Sequence, residues 1–306
     1  MSGPGEKVSV SVEGRRLQLS NMGKVLYAET GFTKGQVIDY YARVGEILLP
    51  HLAGRPLTVK RYPDGVAGKS FFEKNIPSHA PSWVRSVELP TPGSTRQRET
   101  IRYVVVDGLP TLVWLANLAA LELHIPQWTV GPRGGVRGAN LMVFDLDPGP
   151  PATVVDCARV ASWVQEVLAE DGLQAWPKTS GSKGMQLYVP LREVDPTRPW
   201  DYARALAKRI SAEHPDRVVW QMTKALRAGK VLIDWSQNNG AKTTIAPYSL
   251  RARPLPTVST PLTWDEVTDC RTETDLRFTA EDVLGRIERV GDLAAELLQV
   301  RQPLPG

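Results

Sequence analysis

Cysteine is scarce: Cys157 and Cys270 are the only two in 306 residues. That excludes a disulfide framework and a cysteine-built metal cluster, and it reads as a reduced, cytosolic protein. Long apolar runs are missing as well, so no segment reads as a membrane span. The opening MSGPGEKVSVSVEG has no apolar core of the kind that marks a secretion signal. There is no G-x-x-x-x-G-K-S/T stretch, which argues against a Walker-type ATPase, and no K-x-D-G, the lysine nucleophile of nucleotidyl-transferring ligases. Repeats, low-complexity tracts and a long linker are absent too. The 25 prolines are scattered, and clusters such as LPTPGS near 89–94 and RARPLPTVSTP near 251–261 read as loops of a compact body.

What is there is an ordinary globular composition, 42% hydrophobic and 23% charged, able to bury a real core. The net charge is +4 and the pI about 9.0, so any polyanionic partner depends on cations gathering on one surface. The spacing predicts a strand pair in VSVSVEGRRLQL. A helix follows whose Thr33 and Gln36 form a capping box and whose Val37, Tyr41, Val44 and Leu48 keep helical spacing. PLTVKRYP reads as a strand and LPTLVWLANLAALELH as a nearly all-apolar, buried helix. NLMVFDLDPGP reads as a strand ending in a turn, and ATVVDCARVASWVQEVLAEDGL as an amphipathic helix. QAWPKTSGSKGMQLYVPL reads as strand, turn, strand, and WDYARALAKRISAEHP as another helix. KVLIDWSQNNGAKTTIAPYSLR reads as a strand, an Asn-Gly turn and a second extended stretch. A helix from about Thr279 to Leu298 closes the chain. Hairpins mixed with crossovers predict an α+β, or mixed α/β, body rather than a regular doubly wound fold.

VFDLDPG is the most informative stretch. Period-two alternation puts Asp145 and Asp147 on one strand face, where like charges repel unless a cation sits between them. Mg²⁺ or Mn²⁺ takes oxygen ligands of this kind, while two solvated acids before a turn are the plainer alternative. KVLIDWS adds Asp234 at the end of an apolar strand, where an acid needs a partner: an arginine, or a shared cation. Together the three acids could hold two metal ions and serve displacement at phosphorus.

Basic residues fall at strand ends and turns: Lys60 and Arg61 in VKRYP, Lys183 in TSGSKG, Lys224 and Arg227 in MTKALRAGK, Lys242 in GAKTT, and Arg251 in YSLRAR. A triphosphate needs several such cations. The TSGSKG turn, with exposed amides and one lysine, suits phosphate but also suits a plain tight turn. Phe71 and Phe72 point to opposite sides if extended, so one can lie in the core while the other stacks on a base. His124 is either an interior imidazole or a donor to substrate oxygens.

The stretches NMGKVLY, YYARVGEILLPHLAGRPLTVKRYPDG, FFEKN, AALELHIPQW, VFDLDPG, TSGSKG and MTKALRAGKVLIDWSQNNGAKTTIAPYSLRAR, in this order over nearly the whole chain, resemble the polymerase domain of bacterial DNA ligase D. That domain is a branch of the archaeo-eukaryotic primase superfamily. The resemblance implies a primase-like core, a mixed, largely antiparallel sheet flanked by helices, over a single domain 1–306 with an N-terminal arm of about 1–20. It implies template-directed transfer of NTP or dNTP to a primer 3′-hydroxyl in end joining or gap repair, with two Mn²⁺ or Mg²⁺ ions and a leaning toward Mn²⁺ and ribonucleotides. On this resemblance Asp145, Asp147 and Asp234 are metal ligands, and Ser180 and Lys183 hold the triphosphate. Lys60, His124, Arg227, Gln237 and Arg251 contact the nucleotide. Phe71 and Phe72 pack on template, and Lys24 with Lys34 holds a downstream 5′-phosphate on gapped or broken duplex DNA.

One position departs from the pattern. Ligase D domains usually read GSKGLH where this chain reads GSKGMQ, so Gln186 stands for a motif histidine and donates to phosphate without carrying charge. In this it resembles stand-alone polymerases associated with ligase C. With no ligase or phosphoesterase module before Gly306, the expectation is a free-standing, monomeric, cytoplasmic and nucleoid-associated enzyme. Its partners would be a separate ATP-dependent ligase and the end-binding protein Ku, with no membrane involved. A metal-dependent nuclease or phosphodiesterase using the same acids is the competing class. A non-catalytic DNA-end adaptor for Ku is a third.

Overall fold

A computed structural model describes residues 7–90 and 99–305. The first six residues of the expected N-terminal arm and positions 91–94 of the LPTPGS loop lie outside them. The chain opens with a hairpin, β1 (Lys7–Val12) and β2 (Arg15–Ser20), then a small pair, β3 (Val25–Tyr27) and β4 (Phe32–Thr33). Helix α1 (Lys34–Leu52) starts where Thr33 and Gln36 cap each other reciprocally. Val37, Tyr41, Val44 and Leu48, one helical face, have no exposed surface. Each such side chain contributes roughly 1.5–3 kcal/mol by leaving water.

β5 (Pro56–Arg61), β6 (Phe71–Glu73), β7 (Ser86–Pro90) and β8 (Thr100–Val105) follow, then α2 (Leu109–Asn117) and β9 (Ala120–Ile125). The expected single helix from Leu109 to His124 is therefore half helix and half strand. Ala119 adopts a positive φ of 57° and ends the turn, and the next residues alternate: Leu121, Leu123 and Ile125 face the core, while Glu122 and His124 face away. That period of two was in the sequence, masked by the apolar run before it.

A second group comprises β10 (Trp128–Val130), β11 (Val136–Pro148), α3 (Val154–Glu170), β12 (Trp176–Thr179), β13 (Met185–Val194), α4 (Thr197–Glu213), β14 (Val218–Val219) and β15 (Val231–Asp234). A 3-10 turn, Trp235–Asn238, leads to β16 (Thr244–Ile245), and α5 (Trp264–Thr268) and α6 (Ala280–Val290) complete the described chain with a last 3-10 turn, Ala295–Leu298. The expected long final helix stops at Val290: Gly291 has a φ of 70°. Asp292 beyond it is pinned by Tyr248 Oη, His51 Nε2 and the Ala294 amide.

The described residues form two six-stranded sheets rather than one. The first runs β16-β9-β5-β8-β7 with β6 beside β5, and the second β12-β13-β11-β15-β14 with β10 beside β11. Pairing is antiparallel throughout except β14 with β15. β15 and β16 lie in different sheets, so the Asn-Gly turn expected to close a hairpin carries the chain across instead. Helices α1, α2 and α6 cover the outer face of the first sheet, α3, α4 and α5 that of the second. The inner faces are tied by Tyr188 Oη to Ile245 O at 2.7 Å and Arg251 Nη1 to Ser180 O at 2.8 Å. Among the described residues no helix is long and apolar enough to cross a membrane, and both cysteines are free and buried.

Candidate active site between the two sheets

On β11, Met142, Phe144 and Leu146 enter the core beneath α3 and α4, which leaves Val143, Asp145 and Asp147 on the inner face. Register does the rest. Asp145 lies directly opposite Gln186 of β13 on one side and Asp234 of β15 on the other, and Gln186 lies opposite Lys178 of β12. One row across four strands thus reads cation, amide, carboxylate, carboxylate. Asn238 fixes the segment after Asp234 by exchanging two 2.8 Å hydrogen bonds with the Val143 backbone, as a strand would.

Burial pushes the Asp145 carboxyl from 3.8 up to about 7, and the negative charges of Asp147 and Asp234 add to it, against a hydrogen bond from Gln186. Asp147 is exposed, yet partial loss of its solvation and then the charge of Asp234 raise it as well. The only ion pair to any of the three, among the described residues, is Lys242 Nζ with Asp234 Oδ2 at 4.0 Å. Among the described residues no arginine pairs with Asp234. Repulsion that nearby cations offset only in part is what a hard divalent ion relieves, so the residues fit such an ion by donor type and adjacency. They are not drawn into a closed ligand set: among the described residues no three His, Cys, Asp or Glu side chains group as one. Gln186 Nε2 donates to Asp145 Oδ1 at 3.0 Å, Gln237 Nε2 to Oδ2 at 3.3 Å, and Ser236 to Asp234 Oδ1 through its amide and hydroxyl. These are the partners a cation would displace.

The TSGSKG turn joins β12 to β13 at the end of this row. Ser180 Oγ accepts the amides of Ser182 and Gly184, both at 3.2 Å. A Cβ on Gly184 would lie 2.0 Å from Leu146 O, and one on Gly181, whose φ is 66°, would lie 2.6 Å from the Val258 carbonyl carbon. The glycines are therefore demanded by packing, and the same packing leaves Lys183 exposed at the tip. Arg227 sits at the mouth: its carbonyl would be 1.9 Å from a Cβ on Gly149 of the DPG turn. Its Nη2 is bound to Met222 O at 2.7 Å and its Nε is buried without a partner.

The first sheet supplies the opposite wall. Lys60 and Glu122 are register partners, as are Lys60 and Phe72, so β6, β5 and β9 present Phe72, Lys60, Glu122 and His124 together. Lys60 Nζ lies 5.3 Å from the Phe72 ring centre and 5.2 Å from that of Tyr62. Phe71 and Phe72 are 44% and 54% exposed, so neither is in the core, contrary to the expectation for one of them. Arg61 covers Phe71 at 5.3 Å. Lys24 and Lys34 are neighbours through the Lys34 amide and Lys24 carbonyl at 2.8 Å. Lys24 is paired with Asp64 at 3.0 Å, and Lys34 is buried on Ser20 O at 2.6 Å. Burial, then Lys24 and Arg61, lower the Lys34 ammonium to about 8. Both lysines lie near the end of β5, Lys24 through Asp64 and Lys34 within the field of Arg61.

Two residues escaped the sequence reading. Glu122 accepts from His124 Nε2 at 3.0 Å, Arg251 Nε at 3.3 Å and the Ala252 amide at 3.1 Å. Lys178, 2% exposed, donates to Ser259 Oγ at 2.6 Å and lies 4.9 Å from the Tyr188 ring centre. Burial drives its ammonium well below the ordinary lysine range. The alternation of LELHI was the available signal for Glu122. For Lys178 there was none, since its partner Ser259 is 81 positions away.

An acidic row on one sheet facing cations and aromatics on another is the layout of a nucleotidyltransferase cleft. Residues 33–294 match the family model described as LigD, primase-polymerase domain. The chain is 46% identical over 284 residues to the multifunctional non-homologous end joining protein LigD of Mycolicibacterium smegmatis, covering 92% of this chain and 36% of the relative. It is 34% identical over 280 residues to the bifunctional LigD of Bacillus subtilis, covering 90% and 43%. Its fold matches the solved polymerase domain of Mycobacterium tuberculosis ligase D in complex with DNA, with a TM-score of 0.86, 44% identity, and coverage of 94% of this chain and 99% of that one. The chain belongs to the LigD primase-polymerase domain family. It spans just over a third of the length of the mycobacterial relatives it matches, 36% of the first.

Proposed function

We propose that this chain is a template-directed nucleotidyltransferase that joins NTP or dNTP to a primer 3′-hydroxyl in short gaps or breaks of duplex DNA. The observation that carries the reading is the pairing of Asp145 with Asp234 across β11 and β15, with Asp147 on the same face and a cationic wall opposite. Asp145, Asp147 and Asp234 would hold divalent cations, Mn²⁺ or Mg²⁺, which would lower the pKa of the attacking hydroxyl and neutralise charge on the phosphates. The residues do the positioning. Ser180 shapes the turn whose amides and Lys183 receive the triphosphate. His124, Arg251 and Lys60 face it from the other sheet, and Arg227 and Gln237 close the sides. Gln186, released from Asp145, donates its amide to phosphate in place of a charged histidine. Phe71 and Phe72, solvent-facing, stack on template bases, and Lys24 with Lys34 receives a downstream 5′-phosphate, for which Lys24 must leave Asp64.

Polymerase domains in relatives named for end joining support placing this activity in DNA repair, alongside a separate ligase or a Ku-type end-binding partner. The test is incubation with a gapped duplex, labelled NTP and Mn²⁺ or Mg²⁺. Strand lengthening that disappears in Asp145→Ala supports the reading, whereas shortening would make the protein a nuclease. No change in strand length, with DNA-end binding that survives replacement of all three acids, would leave only a DNA-end adaptor. Lys24→Ala with Lys34→Ala is expected to erase any preference for 5′-phosphorylated gaps.

A further inference from the structure

Glu122 stands on the cationic wall, 4% exposed, with both oxygens engaged: Oε2 by His124 Nε2, Oε1 by Arg251 Nε and the Ala252 amide. Arg251 in turn reaches Ser180 O of the TSGSKG turn at 2.8 Å. One carboxylate therefore holds two side chains that face the nucleotide and, through one of them, the turn on the opposite sheet. Burial, the largest influence, pushes the Glu122 carboxyl upward, but His124 and Arg251 outweigh it and bring it down to about 2. Glu122 is an anion at any physiological pH and can only accept hydrogen bonds.

That fixes the tautomer of His124. With a carboxylate at Nε2, the ring proton sits there in the neutral form, and Nδ1, which has no partner among the described residues, is a bare lone pair. A lone pair repels a phosphate oxygen; only the imidazolium donates from both nitrogens. Every neighbouring element bears on this ring. Glu122 on the same strand favours the cation, whereas Arg251 after β16 and Lys60 on β5 oppose it. Phe72 of β6 meets the ring edge-on at 5.5 Å. Burial, the largest influence, leaves the free ring below its ordinary 6.5. A bound polyphosphate reverses the balance by neutralising Lys60 and Arg251 and adding its own negative charge beside Nδ1.

Resting on the nucleotidyltransferase reading, we propose that Glu122 is a positioning residue that locks His124 with its proton on Nε2 and aims Arg251, so that the triphosphate is bound together with one proton taken up from solvent at His124 Nδ1. Nucleotide affinity then falls as pH rises above the free-ring value, because the proton must be supplied with the ligand.

The test is calorimetric titration of the metal-saturated full chain with an α,β-methylene NTP analogue from pH 6.5 to 8.5, in two buffers of different ionisation enthalpy. Wild type should take up about 0.5–1 proton at pH 7.5 and weaken by up to about tenfold per pH unit. His124→Gln should bind with no such uptake, and the difference between the two cancels protons released elsewhere in the site. Glu122→Gln should lose most of the uptake and bind several-fold more weakly, and Glu122→Asp should recover part of both. Analogue binding by wild type with a pH-independent Kd and no uptake overturns the proposal and leaves the polymerase reading intact. Undiminished uptake in folded Glu122→Gln does the same. No binding by folded wild type sinks both. Near-UV circular dichroism checks the fold of Glu122→Gln, and if it fails, the His124→Gln comparison with Glu122 in place decides.

Discussion

Asp145→Asn is expected to make the metal-free protein more stable while abolishing its activity. In the folded chain, burial and then the charges of Asp147 and Asp234 raise Asp145 from 3.8 to about 7. A folded pKa above the unfolded one contributes stability that is complete below about 4 and is lost as pH climbs through about 7. At pH 8.5 the ionised carboxylate thus destabilises the fold. About three pKa units at 1.36 kcal/mol each set a ceiling of roughly 4 kcal/mol. Asp145 and Asp147 titrate together, so about half of that belongs to this substitution. Asparagine still accepts from Gln186 Nε2 but presents an amide to Gln237, whose own amide must rotate, at a cost of about 1 kcal/mol. The net gain is about 1 kcal/mol, a Tm rise of about 2–4 °C. Scanning calorimetry in EDTA should show it at pH 8.5 and not at pH 5. Added Mn²⁺ should then reverse the ranking, because wild type offers three carboxylates to the ion and the variant two, and gap extension should be lost. Equal destabilisation of Asp145→Asn at both pH values would refute the reasoning by making Asp145 a structural acceptor. Equal stabilisation of both proteins by Mn²⁺ would refute the cation assignment.

Gly184→Ala places a Cβ 2.0 Å from Leu146 O, so a loss of about 2–4 kcal/mol is expected in urea unfolding, together with weakened nucleotide retention. Phe72→Ala removes a ring that is 54% exposed. Tm should hardly move while gapped-DNA affinity falls by about 1–3 kcal/mol in a binding titration. Asp292→Ala strips the shared acceptor from His51 and Tyr248, at 3.0 Å and 2.5 Å. It should destabilise by about 2–4 kcal/mol in the same unfolding assay and leave extension per folded molecule unchanged.

Local pattern sufficed wherever one rule governed a segment. The capping pair Thr33 and Gln36, the alternation of VFDLD, and the 3.6-residue spacing of α1, α3 and α4 each have a single physical reading, and the chain obeys it. Two rules competed in the run from Leu109 to Ile125, where a continuous apolar stretch hid a switch of period at Ala119. At the chain's end, the spacing that suggested a helix to Leu298 gave way to Gly291 and to an Asp292 held by residues far away in sequence. The fold class was legible; its division into two facing sheets was not, because strand partners such as β5 with β9, or β16 with β9, are chosen by tertiary register rather than by neighbouring residues.

Residue types and their local faces were the sequence's own contribution to the site: Asp145 beside Asp147, an acid closing an apolar strand, glycines flanking a lysine. Only the folded molecule set Asp234 opposite Asp145, buried Lys178 behind Gln186, and made Glu122 the shared partner of His124 and Arg251. Hydrophobic periodicity is written in consecutive residues, whereas electrostatic coupling depends on distances of a few ångströms between positions as far as 129 apart in the chain, and those distances exist only once the sheets have packed.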